Sequence, residues 1–137
     1  MNLTKEDEGR LVHAIRILCI FTLNKSDVIL KQVHLDKIQD VFYRICNDFD
    51  VKLIEFQGEQ DYVKITFVYP PKISVSSFVR CIKSHSSREL AKEFKDLCVM
   101  EDGVLWKKGY FVISIEGASI DSVDNYIQAY RKRRAKK

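Results

Sequence analysis

Residues 61–72 read DYVKITFVYPPK. Side chains alternate across an extended chain, so Val63, Ile65 and Phe67 share one face while Tyr62, Lys64 and Thr66 share the other. The first face is apolar and must pack on a core. The second mixes an aromatic ring with polar groups, the pattern of an antiparallel sheet that leaves one face open. Pro70 and Pro71 end the strand, because neither has an N–H for the ladder and each fixes its own φ.

Working outward, VKLIEFQG (51–58) reads as a second strand, and Glu59-Gln60 turns it back into 62–69 as a β-hairpin. Before it, HLDKIQDVFYRICNDFD (34–50) places Leu35, Ile38, Val41, Phe42, Ile45 and Phe49 on one helical stripe. The β-branched and aromatic run VHAIRILCIFTL (12–23) predicts a long first strand. After the prolines, Ser74 or Ser76 caps a helix through about Lys83, with Val75, Phe78, Val79 and Ile82 inward. The HSS run at 85–87 is expected to break or bend it, and a further helix starts at Ser86 or Ser87. EDG (101–103) reads as a turn, VLW (104–106) as a short strand, and YFVISI (110–115) as the last strand. Ser119 then caps a C-terminal helix with Ile120, Val123 and Ile127 on one face.

This order predicts an α+β fold: a ferredoxin-like or RRM-like split β-α-β antiparallel sheet with helices on one face and a C-terminal helix. Residues 1–130 are expected to form a single domain and residues 131–137 a basic tail. Six of the 23 Lys and Arg residues lie in that tail, leaving 17 basic against 19 acidic groups elsewhere, so the net +4 comes from the tail alone. Such a tail suits phosphate contact, although a solubilising end has the same composition.

The composition excludes several classes. No run approaches the roughly 20 apolar residues of a membrane span, and MNLTKEDEGR (1–10) lacks the pattern of a secretion signal. The expected compartment is the cytoplasm. Cys19, Cys46, Cys81 and Cys98 are far apart in apolar or helical contexts and read as reduced thiols rather than a zinc site. His13, His34 and His85 do not cluster. The five glycines form no phosphate-binding loop.

Three stretches carry a resemblance. PPKISVSSFVRCIKSHSSRELAKEF (70–94), LWKKGYFVISIEG (105–117) and the helix containing DNYIQAY (124–130) resemble corresponding segments of the single-tyrosine HUH transposases of the insertion-sequence 200/605 type. The likeness spans about residues 10 to 130 in order and spacing. It implies a dimer that binds hairpins in single-stranded DNA and cuts beside them. In that family two histidines flanking one hydrophobic residue, with a glutamine on the last helix, hold Mg or Mn. A tyrosine of that helix, often supplied to the partner subunit, attacks to give a 5′-phosphotyrosine.

Transferred onto this sequence, the nucleophile position is Tyr126. The histidine positions are Tyr62 and Lys64, flanking Val63, and the glutamine position is Tyr130. Gln128 follows Tyr126 by two residues, which turns it about 200° around the helix. A protonated phenol is a poor ligand for a hard divalent ion. A unit charge pair at about 4 Å is worth about 4 kcal/mol at an effective dielectric near 20, so a divalent ion beside Lys64 meets about twice that as repulsion.

The expectation is therefore an inactive, domesticated or decaying homologue that works without a metal cofactor. It binds single-stranded or hairpin DNA, or RNA, as a homodimer with its C-terminal helix near the partner subunit. Tyr62 and Lys64 are candidate contacts for a base and a phosphate. Lys83, Arg88, Arg131, Lys132, Arg133 and Arg134 are candidates for backbone contact. Ordinary surface charge accounts equally for several of these. One alternative is an enzyme in which Lys64 replaces the metal and Tyr126 still attacks. Another is a dimeric interaction protein that inhibits an active relative.

Overall fold

The computed structural model describes residues 15–25, 28–69, 74–95, 97, 104–114 and 120–135; at positions 15, 69, 120–122, 134 and 135 it describes the backbone alone. The proline strand stop, the turn at 101–103, the Ser119 cap, His13, Cys98, Lys136, Lys137 and the Arg134 side chain lie outside the described residues. Among the described residues seven elements follow in order: β1 (Ile15–Thr22), α1 (Gln32–Asp48), β2 (Lys52–Gly58), β3 (Tyr62–Tyr69), α2 (Val75–Glu93), β4 (Phe111–Ser114) and α3 (Ile120–Ala135). The strands form one antiparallel sheet in the order β2-β3-β1-β4. This is the predicted α+β architecture.

The alternation of β1 and β3 decides which residues meet. Ile17 pairs with Phe67, Cys19 with Ile65 and Phe21 with Val63, and all six side chains are buried in one cluster with Ile38, Val41 and Phe42 of α1 and Phe78, Val79 and Ile82 of α2. Edge-to-face ring contacts, such as Phe21 with Phe42 at 5.9 Å, add to this packing. In β2 the register slips between Leu53 and Glu55. That bulge lets Leu53 and Phe56, three residues apart, both reach the core cluster. At the end of β2, Gly58 lies against the Leu35 side chain of α1, and a Cβ there would force the leucine methyls to move aside.

α1 begins two residues before the expected start. The Lys31 N–H donates to His34 Nδ1 at 2.9 Å, and the buried His34 ring stands edge-on to Phe94 at 4.7 Å. Arg44 clasps Glu89 with two bonds of 2.8 and 2.6 Å and so ties α1 to α2.

Two expectations change. The HSS run does not break a helix: α2 is continuous over 19 residues, capped by Ser74, whose Oγ accepts from the Ser77 N–H at 3.4 Å. Ser86 satisfies its hydroxyl inside the helix by donating to the Ile82 carbonyl at 2.7 Å. It also accepts from Trp106 Nε1 at 2.8 Å, while Ser87 Oγ accepts from the Leu105 N–H at 3.3 Å. The serines therefore dock the 104–106 segment onto α2. That segment is not a strand but a single bridge, Trp106 to Leu23. At the C-terminus α3 runs through Ala135, so basic positions 131–134 continue the helix.

No helix among the described residues is long and apolar enough to cross a membrane.

Candidate functional site

The sheet face expected to be open is covered where Tyr62 stands. α3 places Val123, Tyr126, Ile127 and Tyr130 along one side, and Val123 and Ile127 join Ile20 and Tyr62 in a second apolar cluster. Leu18, Phe111 and Tyr126 pack around it, half-buried. Thus α1 and α2 lie on one side of the sheet and α3 on the other. Tyr62 is only 7% exposed, which removes it as a stacking platform on an open sheet.

The hydroxyls of Tyr126 and Tyr130 are engaged. Thr22 lies directly opposite Tyr62 in the β1–β3 ladder and hydrogen-bonds the Tyr126 side chain. The Tyr126 ring rests against Phe111 at 5.0 Å. One turn later, the buried Tyr130 hydroxyl donates to the Leu23 carbonyl at 3.2 Å, and the Lys107 ammonium sits 5.8 Å from its ring. Arg131 reaches Asp61 with two bonds of 2.9 and 3.2 Å and lays its guanidinium 5.5 Å from the centre of the Tyr62 ring. Burial raises the pKa of both Tyr62 and Tyr126 above the ordinary phenol value, the Thr22 bond only partly opposing this at Tyr126. Both phenols are therefore protonated at neutral pH.

The three positions that would hold the divalent ion of the resembling family do not fit one. Tyr62 is a buried phenol beneath a guanidinium, Lys64 brings a positive charge, and the Tyr130 hydroxyl is engaged by a backbone carbonyl. Hard cations need several oxygen or imidazole donors free to turn toward them. Among the described residues, no group of three or more His, Cys, Asp or Glu is arranged to hold a metal.

Lys64 itself is half-buried on the α3 side of the sheet, opposite Ile20 on β1 and Gln57 on β2. Lys132 and Arg133 are exposed on α3. Lys83 is not a loose surface cation. Its ammonium donates to the carbonyls of Lys107 at 2.8 Å and Gly109 at 2.9 Å and lies 5.7 and 5.6 Å from the Phe21 and Tyr110 rings. It thus holds the 107–109 turn against α2, where Gly109 takes a φ of 89°. Burial lowers its pKa below the usual lysine value. Arg88 is exposed, with Nη2 3.3 Å from His85 Nδ1.

Lys83 and Arg88 belong to a second feature that the strand-and-motif reading missed. A groove of about 680 Å³ runs between α2 and the 104–110 segment, and Arg80 and Lys108 also line it. Its signal was in the sequence: Ser76, Arg80, Lys83 and Ser87 recur at the three- and four-residue spacing of one helix face. It was hidden by the expected break at 85–87.

Comparison with known proteins agrees with this architecture. Residues 11–130 match the family model described as "Transposase IS200 like". Two curated relatives, the transposases for insertion sequence element IS200 of Salmonella typhimurium strain LT2 and Salmonella typhi, are each 28% identical over 92 residues, 66% of this chain. The match spans 60% of those relatives' length. A crystal structure from Deinococcus radiodurans R1, provisionally named a transposase, superposes with a TM-score of 0.75 at 19% identity over 98% of both chains. A REP-associated tyrosine transposase bound to a REP hairpin superposes with a TM-score of 0.59 at 10% identity, over 92% of this chain and 68% of that one. At these identities the two solved structures speak for the fold.

Proposed function

The chain belongs to the IS200-like transposase family, and from that premise we propose that it is a nucleic-acid-binding protein of transposase fold that does not cut strands. The observation that carries this reading is the state of the three ligand positions, where a buried tyrosine, a lysine and a hydrogen-bonded tyrosine stand. Without the metal, the scissile phosphate has no Lewis acid, and the described group that hydrogen-bonds Tyr126 is the Thr22 hydroxyl, which is no base. The proposed partner is single-stranded or hairpin DNA, because a relative of the same fold is solved on a hairpin. RNA is the comparison to run beside it.

Homodimerisation is part of the reading. β4 pairs only with β1 among the described residues and carries the exposed Val112, which supports assembly through that edge. In the structure α3 packs on its own sheet, so the dimer of this reading does not require exchange of that helix.

The test is fluorescence anisotropy with labelled DNA hairpins and matched RNA hairpins, followed by denaturing electrophoresis after incubation with EDTA or Mn²⁺. Salt-sensitive binding with no covalent adduct is expected. Lys64→Ala should weaken binding if the sheet face beside β2 takes part. An adduct or cut strand that disappears in Tyr126→Phe would overturn the inactivity, and absence of binding to every strand would overturn the partner. Light scattering at micromolar concentration reads the dimer.

A further inference from the structure

We propose that the groove between α2 and the 104–110 segment is a binding site for a nucleoside-phosphate unit, with the base against an apolar floor and the phosphate against a cationic rim. The proposal rests on the nucleic-acid reading above but is located independently of the transposase centre, which lies across the sheet under α3.

The lining is mostly apolar, and Val79 and Trp106 contribute to it. Among the described residues, the charged ones lining it are all basic, Arg80, Lys83, Arg88, Lys107 and Lys108, and none is a carboxylate. A volume of about 680 Å³ lies within the roughly 300–1,000 Å³ usual for small-molecule sites, ample for one nucleotide. The decisive group is Lys83. Its ammonium is half-buried, yet its hydrogen-bond partners are two neutral carbonyls, and no carboxylate among the described residues pairs with it. A buried charge without a counter-charge is costly, and an anion in the groove would supply one. The lowered pKa of Lys83 is the same cost seen from its proton. Arg80 and Lys108 are exposed and form no ion pair with any described residue, so they can turn onto a phosphate. An apolar wall beside such cations suits the face of a base, which stacks without regard to its identity.

The same chemistry has two sources, a free nucleotide or an unpaired nucleotide within a strand. Trp106, the chain's single tryptophan, is buried on the groove wall and reports occupancy by its fluorescence. The full chain is titrated with a nucleoside monophosphate, the matching nucleoside, inorganic phosphate, and hairpins with and without unpaired bases. The monophosphate is expected to change the emission more than nucleoside or phosphate alone. The double variant Arg80→Ala, Lys108→Ala alters two exposed side chains and is expected to weaken binding at least about tenfold, the loss of one charge-assisted contact or more. Competition by the monophosphate against a hairpin with unpaired bases identifies the strand as the source. Emission changes without strand binding identify the free nucleotide, and in that case the groove stands while the strand-binding reading falls. Strand binding that is unaffected by the double variant and not competed by nucleotides overturns the groove and leaves the strand-binding reading in place. No response to any nucleotide-bearing ligand overturns both.

Discussion

At the scale of single residues, Ser86 shows how much one small polar group holds. Its hydroxyl is fully buried, bonded to Ile82 within the helix and accepting from the Trp106 indole across 20 positions of sequence. Ser86→Ala leaves the indole N–H unsatisfied and should cost about 1–3 kcal/mol, read as a lower urea midpoint with an unchanged slope. The local rule that serines break helices fails here because the hydroxyl has an acceptor one turn back and a donor from another segment. The cysteines give a second prediction. Burial pushes the Cys19 and Cys46 thiols up to about 12, so at pH 8 only about one in 10⁴ is the reactive thiolate. Brief alkylation with iodoacetamide, mapped by mass spectrometry, should modify the half-buried Cys81 and spare Cys19 and Cys46 until denaturant is added. The identity of these thiols as buried was legible from their apolar neighbours. The role of Ser86 was not, since its partner is set by how the chain returns.

At the scale of elements, two clasps join helices to the rest of the fold. Arg44 and Lys37 on α1 meet Glu89 and Glu93 on α2, and the Arg44 bond holds the Glu89 carboxyl below its ordinary range. A carboxylate depressed in the folded state contributes stability above its unfolded pKa and loses it as pH falls through the folded value. Glu89→Gln should therefore be less stable than the parent by about 0.5 kcal/mol at pH 7, with the difference vanishing toward pH 3 in denaturant melts. A gap that persists at pH 3 would show a packing effect instead. The other clasp is Arg131, which pins the end of α3 to Asp61 and covers Tyr62. Arg131→Ala removes an exposed ion pair and a cation–π contact, together worth about 1 kcal/mol. Amides 124–133 should exchange hydrogen about fivefold faster, with β1 and β3 unchanged. Equal exchange rates would mean that the apolar cluster alone holds the helix. The hydrophobic stripe of α3 was readable, whereas its landing place was not: alternation assigns Tyr62 to a face but says nothing of what covers that face.

For the whole molecule, charge is the property most open to test. Excess positive charge gathers near the C-terminus, and the described part of it lies on α3, with Lys132 and Arg133 exposed beside the engaged Arg131. If these touch a strand backbone, Lys132→Ala with Arg133→Ala should weaken binding evenly across sequences. The slope of log affinity against log salt should then become shallower by about 1.4, that is ~0.7 for each of two phosphates on a single strand. An unchanged slope would place the contacts elsewhere, and the groove beside α2 carries its own separate cations. The sequence by itself determined the element order, the antiparallel sheet and the inward faces of β3 and α1, because periods of 2 and 3.6 residues are local properties that burial reads directly. Through the resemblance it also placed Tyr62, Lys64 and Tyr130 at the family's ligand positions, since identity needs no geometry. Only the tertiary structure decided that α2 is unbroken, that α3 closes over Tyr62, and that Lys83 is tied to a turn beside a cationic groove. Each of those depends on contacts between segments distant in sequence, whose energies arise only once the chain has brought them together.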